Sequence, residues 1–240
     1  MLATVDFHDP LIWAILIGWI MSVILHEFAH GLAAYFGGDY TIRERGGLTL
    51  NPIQYIDPIY SILFPALIFV LGGVPLPGGA TYIRRDLLRN NFWQVMVSAA
   101  GPLMNFLLFL ALVLPFHPRI GWLDANQIIA SGTPSNACIF IGAMAWLQML
   151  SVIFNLIPIP PLDGFQMLAV FMKPQTRQQL LSPATRQLGF VLLFVACSAP
   201  GVFQHFHNAV ANVLSLLGFD QITIGFFGSC YNRALFHVGS

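Results

Sequence analysis

Residues 25–32 read LHEFAHGL, which puts His26, Glu27 and His30 inside a long apolar run. On a helix, residues four apart share a face, so His26 and His30 could each present a ring nitrogen to one ion about 2.0 to 2.1 Å away. Glu27 then lies about 100° around the helix, beside the metal, where it could accept a proton from metal-bound water. That is the chemistry of hydrolysis. The bland alternative is a chance meeting of three polar residues in a core helix. With 7 histidines and 2 glutamates in 240 residues, independent placement gives roughly 0.002 such matches. An ionisable group at mid-helix in lipid costs on the order of 2.5 to 3.5 kcal/mol, so three clustered there demand a compensating role. A catalytic metal fits that demand, and a structural metal is the competing account.

A catalytic zinc needs a third protein ligand and one open position. His8 and His117 fall near the expected outer boundary, His205 and His207 open a short apolar helix, and His237 lies in the tail; these read as interfacial histidines. Asp57 and Asp124 read as caps or loop acids. Asp163 is different. It sits in FNLIPIPPLDGFQML, residues 154–168, where three prolines remove backbone donors and break an apolar helix just before the acid. Such breaks free carbonyls that need partners, so they usually line a cavity rather than lipid. Asp is also a favoured N-cap, and the sequence leaves both readings of Asp163 open.

The elements that must position these groups belong to a membrane protein. Hydrophobic residues make up 57% of the chain and charged residues only 8%, against roughly 25% charged in a soluble domain. Lys plus Arg and Asp plus Glu are 10 each, so no global field recruits nucleic acid. Cys138, Cys197 and Cys230 lack the spacing of a disulfide framework or a metal clip and read as small buried hydrophobes. The first apolar run carries the motif, so it is expected to be retained rather than cleaved as a leader.

Bilayer-length runs lie at about 11–36, 92–115 and 138–172, with a shorter pair at 187–199 and 202–218 around SAPG. The segment 57–73 is barely long enough to span and contains Pro65. If it dips in and returns, Arg43, Arg45, Arg84, Arg85, Arg89, Lys173, Arg177 and Arg186 share one side, with only Arg119 opposite. That split matches the positive-inside rule better than full crossing does. The expected fold class is therefore an all-α polytopic transmembrane helix bundle of about five to six membrane segments, one re-entrant. Alternation in YTIRE and LTL around Gly46 and Gly47 predicts a short β-hairpin at the cytoplasmic edge, and GGATYI, residues 78–83, predicts another strand. The Arg84 and Arg85 pair reads as a topology anchor, and Ser98, Ala99, Ala100 and Gly101 as small residues for close helix packing. Residues 1–240 are expected to form a single integral-membrane domain, with a core at about 11–172 and a C-terminal helical hairpin at about 187–218.

The chain resembles the site-2 protease family of intramembrane zinc metalloproteases, in its compact form without a PDZ or CBS domain. The resemblance rests on HEFAH for HExxH, NLIPIPPLDG for NxxPxxxLDG, SAAGPLMN for AGPxxN, and GGLTLNPIQYIDP for a stretch typical of compact members; it runs in family order from about residue 15 to 172. It implies that His26, His30 and Asp163 bind Zn2+ and that Glu27 activates water. It further implies that Asn155 positions or polarises the substrate, that Asn105 is the asparagine after AGP, and that Gly78 and Gly79 belong to an edge strand holding an unwound substrate. Tyr55 stands where compact members often carry histidine, and Phe165 where many have a second glycine after LDG.

The expected function is hydrolysis of peptide bonds within or near transmembrane segments of membrane-protein substrates. The partners are then a transmembrane substrate and the lipid bilayer, with no nucleic acid. The expected location is a bacterial-type plasma membrane, crossed several times, with the active site toward the cytoplasm. An inactive relative serving as a membrane-protein chaperone or assembly subunit is the alternative. A metal or proton transporter is a third reading, weakened because no paired broken-helix repeat is visible. Chelator-sensitive cleavage of a model transmembrane peptide separates the protease from both. The topology has its own test: a cysteine at position 86 should label only from the cytoplasmic face, and labelling from the outer face would overturn the re-entrant arrangement.

Overall fold

The computed structural model describes residues 9–63, 78–132, 134–199 and 201–236. Its helices, in chain order, are α1 (Pro10–Gly37), α2 (Thr41–Glu44), α3 (Asn91–Val113), α4 (Ala125–Ala130), α5 (Asn136–Asn155), α6 (Asp163–Ala169), α7 (Pro174–Leu180), α8 (Pro183–Ser198), α9 (Val202–Leu216) and α10 (Gln221–Phe236). Among the described residues there is no strand. Three stretches are long and apolar enough to cross a membrane: Pro10–Gly37, Asn91–Phe116 and Asn136–Asn155, with mean hydropathies of 1.9, 2.1 and 2.1.

Local chemistry sets the ends of these helices. Asp9 accepts from the Leu11 amide at 2.8 Å, and Pro10 takes the first helical position, where a missing N–H costs nothing. Gly38, in the left-handed region, closes α1 by donating back to the last-turn carbonyls. Asn90 caps α3 and Ser135 caps α5, each accepting a backbone amide in the first turn. Pro102 sits inside α3, where it withholds a donor from the preceding turn.

The core is built around α5. Just over half of its spanning window (56%) is buried, against 39% for each of the other two spans, so α5 is the central helix. Ala143, Trp146 and Leu147 of α5 pack in one apolar cluster with Ile15 of α1, Phe109 of α3, Leu214 of α9 and Phe227 of α10. Trp13 and Ile17 on α1, Leu103 and Leu107 on α3, and Leu192 and Val195 on α8 remain exposed. In a membrane these outward faces would meet hydrocarbon, which removes the penalty an aqueous surface would impose.

Several expectations are corrected. The β-hairpin is absent: Thr41–Glu44 is a helical turn, because Asp39 accepts from both the backbone N–H (3.2 Å) and the hydroxyl (2.5 Å) of Thr41 and so opens a helix there. Beyond Gly46 the chain folds back, held by the Tyr55 hydroxyl donating to the Thr49 carbonyl at 2.6 Å, and Pro52–Tyr55 forms a 3-10 turn. The predicted strand at 78–83 has no regular structure either; its one backbone bond to this loop runs from Ala80 N–H to the Tyr55 carbonyl at 3.0 Å. Among the described residues three helices reach bilayer length, which does not support five to six membrane segments. The third ends at Asn155 rather than 172, where the prolines begin. The pair flanking SAPG forms α8 and α9, of 16 and 15 residues. Sequence reading missed α10 altogether. The segment 57–73, expected to be re-entrant, is described over 57–63, with a π-helical turn at Pro58–Leu63, and the rest of it, with Pro65, lies outside the described residues.

The loop at 45–55 presses on α1 through Gly31: a Cβ built there would sit 2.2 Å from the Gly47 carbonyl oxygen. Gly31→Ala should therefore lower stability by about 1 to 3 kcal/mol, the usual cost of overpacking a contact that cannot relax. Reversible unfolding in detergent measures this, and an unchanged midpoint would show that the loop is not held against the helix.

Candidate metal centre

Helix α1 carries His26, Glu27 and His30, all buried, within two successive turns. Each imidazole is fixed through its Nδ1. His26 Nδ1 lies 2.6 Å from Asn105 Oδ1, and His30 Nδ1 lies 2.6 Å from the Val97 carbonyl oxygen. Both partners can only accept, so both Nδ1 atoms donate, and in the neutral rings the Nε2 lone pairs are left free. Those two lone pairs face each other at 3.1 Å, and Asp163 Oδ2 lies 3.3 Å from each.

Three electron-rich atoms converging this closely need positive charge among them, which a metal ion or a proton supplies. A tetrahedral zinc with bonds of 2.0 to 2.2 Å separates its ligand atoms by roughly 3.3 Å, which is the spacing seen here. The donor set fits zinc. Among the described residues, His26, His30 and Asp163 are the one group of three such side chains whose ligand atoms come within 4.8 Å of one another.

Different elements carry the three donors. Two imidazoles come from α1, and α3 supplies the atoms that hold them, Val97 O and Asn105. Between those positions, Gly101 lets α3 lie against the cluster: a Cβ there would sit 2.3 Å from His30 Nε2 and 2.4 Å from His26 Nε2. Asp163 is the first residue of α6. No side-chain cap hydrogen bond is made at that helix start, and the carboxylate points to the imidazoles instead. The proline-rich segment after Asn155 makes short turns, with Ile159 N–H on the Ile157 carbonyl and Leu162 N–H on the Ile159 carbonyl, and these fold α6 back toward α1.

A cavity of about 800 Å3 opens onto the cluster. Glu27 lines it, and its carboxylate makes no hydrogen bond with another described residue. Thr81 Oγ1 donates to the Glu27 carbonyl at 3.2 Å, which ties the 78–83 segment to α1 beside the site. Gly78 and Gly79 line the same cavity; a Cβ on Gly79 would meet Glu27 Cγ at 3.0 Å. Asn155, at the end of α5, lines it as well and donates to Ser151 Oγ at 3.3 Å.

Asn105 sits behind the ligand. Its Oδ1 is on His26, and its Nδ2 donates to Gln148 Oε1 at 3.0 Å and to Ser151 Oγ at 2.9 Å. Gln148 and Ser151 were missed in the sequence, though a lone glutamine in the apolar run AMAWLQMLSV was the available signal. Arg85 was also missed. Arg84 is an exposed residue paired with Asp86 at 2.6 Å, as an anchor would be, but Arg85 turns inward and lines the cavity. Its Nη2 donates to Ser98 Oγ at 3.0 Å and to Gln166 Oε1.

The other candidates lie elsewhere. His117 Nε2 contacts the Leu217 carbonyl at 3.2 Å, and His207 Nδ1 accepts from Trp146 Nε1 at 3.0 Å. Asp124 caps α4, and Asp57 accepts from the Tyr82 hydroxyl. His8 and His237 lie outside the described residues.

Comparison with known proteins agrees with this picture. Residues 120–198, which include the Asp163 segment, match Peptidase family M50. Over 196 residues, 82% of this chain and 71% of the relative, it is 37% identical to a Mycolicibacterium smegmatis protein named "Putative zinc metalloprotease Rip2". A Mycobacterium tuberculosis protein of the same name is 35% identical over 204 residues, 85% of this chain and 74% of the relative. "Putative zinc metalloprotease YwhC" of Bacillus subtilis is 32% identical over 183 residues, 75% and 78% of the two chains. No solved structure matches the chain. With this similarity spanning most of both partners, the chain belongs to peptidase family M50, the site-2 protease family.

Proposed function

We propose that this protein is an intramembrane zinc metalloprotease in which His26, His30 and Asp163 hold the metal and Glu27 is the general base. The observation that carries the assignment is the convergence of three donor atoms within 3.1 to 3.3 Å of one another, in a cavity that Glu27 shares. Zinc bound there supplies Lewis acidity to a peptide carbonyl and to water.

The chain's own residues supply the rest. Glu27 takes a proton from the attacking water and passes it to the departing amine nitrogen, a service worth about 10²- to 10⁴-fold in rate. Being unpaired, its carboxylate is free for both transfers. Asn155 presents its amide to the substrate carbonyl at the cavity wall. Gly78 and Gly79 have no side chain to hold a substrate backbone away from Glu27. Asn105 acts through His26: with its own polar atoms taken by His26, Gln148 and Ser151, it orients the ligand rather than touching substrate.

A peptide bond in a membrane helix is shielded by its own hydrogen bonds and by the absence of water. The cavity addresses the second obstacle, because its wall combines polar side chains with the main chain of an irregular segment. Substrates are accordingly membrane proteins whose helices can unwind locally. The cationic loops support a cytoplasmic active site, a bacterial-type plasma membrane and a re-entrant 57–73 segment. Residues 1–240 then act as one domain, with the core at about 11–172 and, after it, α9 and α10 packed against α5.

Cleavage of a model transmembrane peptide should be lost on chelation and restored by zinc. Glu27→Gln should keep one zinc per chain while cleavage falls by about 10²- to 10⁴-fold, and Asp163→Asn should weaken zinc binding; normal proteolysis by either purified variant refutes the roles. Gly101→Ala should displace the pinned imidazoles and strip the metal from an otherwise folded protein, as read by elemental analysis. Full zinc content in that variant would show that α3 does not lie against the cluster.

A further inference from the structure

The charge on the cavity wall is not what a metal site alone requires. Five formally charged Asp, Glu, Lys and Arg side chains line it: Glu27 and Asp163 are acidic, and Arg45, Arg85 and Arg186 are basic. Both acids already have tasks, at the water and at the metal. The three cations do not. Among the described residues, the arginine ion pair formed is Arg84 with Asp86, outside this wall, so none of the three is neutralised by a carboxylate. A cation partly removed from water without an anion is costly, which makes half-buried Arg85 and Arg186 features to be explained.

Arg85 is the best placed of them. Its Nη2 is held between Ser98 on α3 and Gln166 on α6. Ser98 lies one turn before Gly101, and Gln166 one turn after Asp163, so the guanidinium is fixed about one helical turn, on the order of 5 Å, along from the cluster. Its Nε and Nη1 make no hydrogen bond to a described residue, yet no buried side-chain nitrogen or oxygen lacks a partner; those two donors are therefore accessible, on a residue that lines the cavity. Burial, with the like charge of Arg177 next, pushes its guanidinium down to about 10, so it stays cationic at neutral pH. The side chain of Arg186, on α8, makes no hydrogen bond with a described residue, and that of exposed Arg45 makes one, to the Tyr82 carbonyl at 3.5 Å.

We propose that Arg85 and Arg186, with Arg45 at the rim, form a carboxylate-binding subsite that selects substrates carrying an aspartate or glutamate a short distance from the cleaved bond. This rests on the reading of the cavity as a protease site. Two free N–H groups of one guanidinium match the two oxygens of a carboxylate, a geometry a lysine could not offer. With zinc bound, the metal would offset the charges of Glu27 and Asp163, so the arginines leave the wall positive and attractive to an acidic segment. An anionic lipid headgroup has the same charge. The peptide is favoured because the arginines line the cavity that holds the His26, His30 and Asp163 cluster.

The test uses zinc-loaded Glu27→Gln full-length protein in phosphatidylcholine nanodiscs, with fluorescent transmembrane peptides in which Asp or Asn is scanned through the segment. At one or two adjacent positions the Asp peptide should bind about tenfold or more tighter than its Asn partner. That advantage should disappear in Arg186→Gln and Arg85→Gln and be reduced but still measurable in Arg85→Lys, which keeps the charge and loses the two-pronged geometry. Because Arg85 also bridges two helices, Arg186→Gln carries the decision if Arg85→Gln fails to fold. Equal binding of Asp and Asn peptides at every position overturns the subsite, as does an advantage that survives the arginine substitutions. Arginine variants that change only the retention of phosphatidylglycerol would assign the cations to lipid and overturn it too. Wild-type protein separates the two readings: chelator-sensitive cleavage of Asp and Asn peptides at equal rates removes the subsite and leaves the protease. Preferred binding of the Asp peptide with no cleavage of either leaves the subsite and removes the protease.

Discussion

Two imidazole nitrogens 3.1 Å apart, with a carboxylate oxygen 3.3 Å from both, are compatible in a buried place only with positive charge shared among them, from a metal ion or a proton. Much of the structure near them serves to hold that arrangement. Hydrogen bonds at Nδ1 fix the rings from behind, so that neither can rotate away to relieve the repulsion. One bond ends on a backbone carbonyl of α3 and the other on Asn105, which is anchored in turn to Gln148 and Ser151 of the central helix. Three bilayer-length helices are thus joined by one polar network, and the apolar cluster around α5 packs outside it.

The same constraint explains where the regular structure fails. A carboxylate cannot reach the inner face of α1 from a continuous α5, because a helix running straight on would carry Asp163 away from the cluster. The prolines after Asn155 end the helix, and the short turns that follow return the chain so that α6 starts beside the histidines. Freed backbone groups of this kind are tolerable at membrane depth where they border a cavity. The break that brings Asp163 to the histidines therefore also borders the cavity that opens onto them.

Polar side chains inside apolar helices fall into two groups here. Asn105, Gln148 and Ser151 are satisfied by one another and by His26, so they lend rigidity and fix a tautomer. Glu27 and the arginines that line the cavity keep free donors or acceptors. That distinction separates scaffold from working surface better than residue type does, since Asn105 and Asn155 have the same chemistry and fall on opposite sides of it.

Short-range spacing was legible in the chain alone. HEFAH puts two imidazoles and a carboxylate on one turn whatever the fold, because covalent connectivity and helical pitch determine it. Length and apolarity marked the three spans, and the prolines before Asp163 marked a break and a candidate ligand without showing whether it would cap a helix or face the histidines. Contacts between elements distant in the chain had no such signature. Alternation in YTIRE looked like a strand, but Asp39 capping Thr41 made a helical turn; α10 went unread because its buried face is defined by packing on α5 rather than by a long apolar run. The requirement for glycine at 101, the Gln148 bond that supports Asn105, and the inward turn of Arg85 beside outward Arg84 were all decided by tertiary structure. In each case the deciding quantity is a distance between atoms on different helices, which spacing along one helix cannot encode.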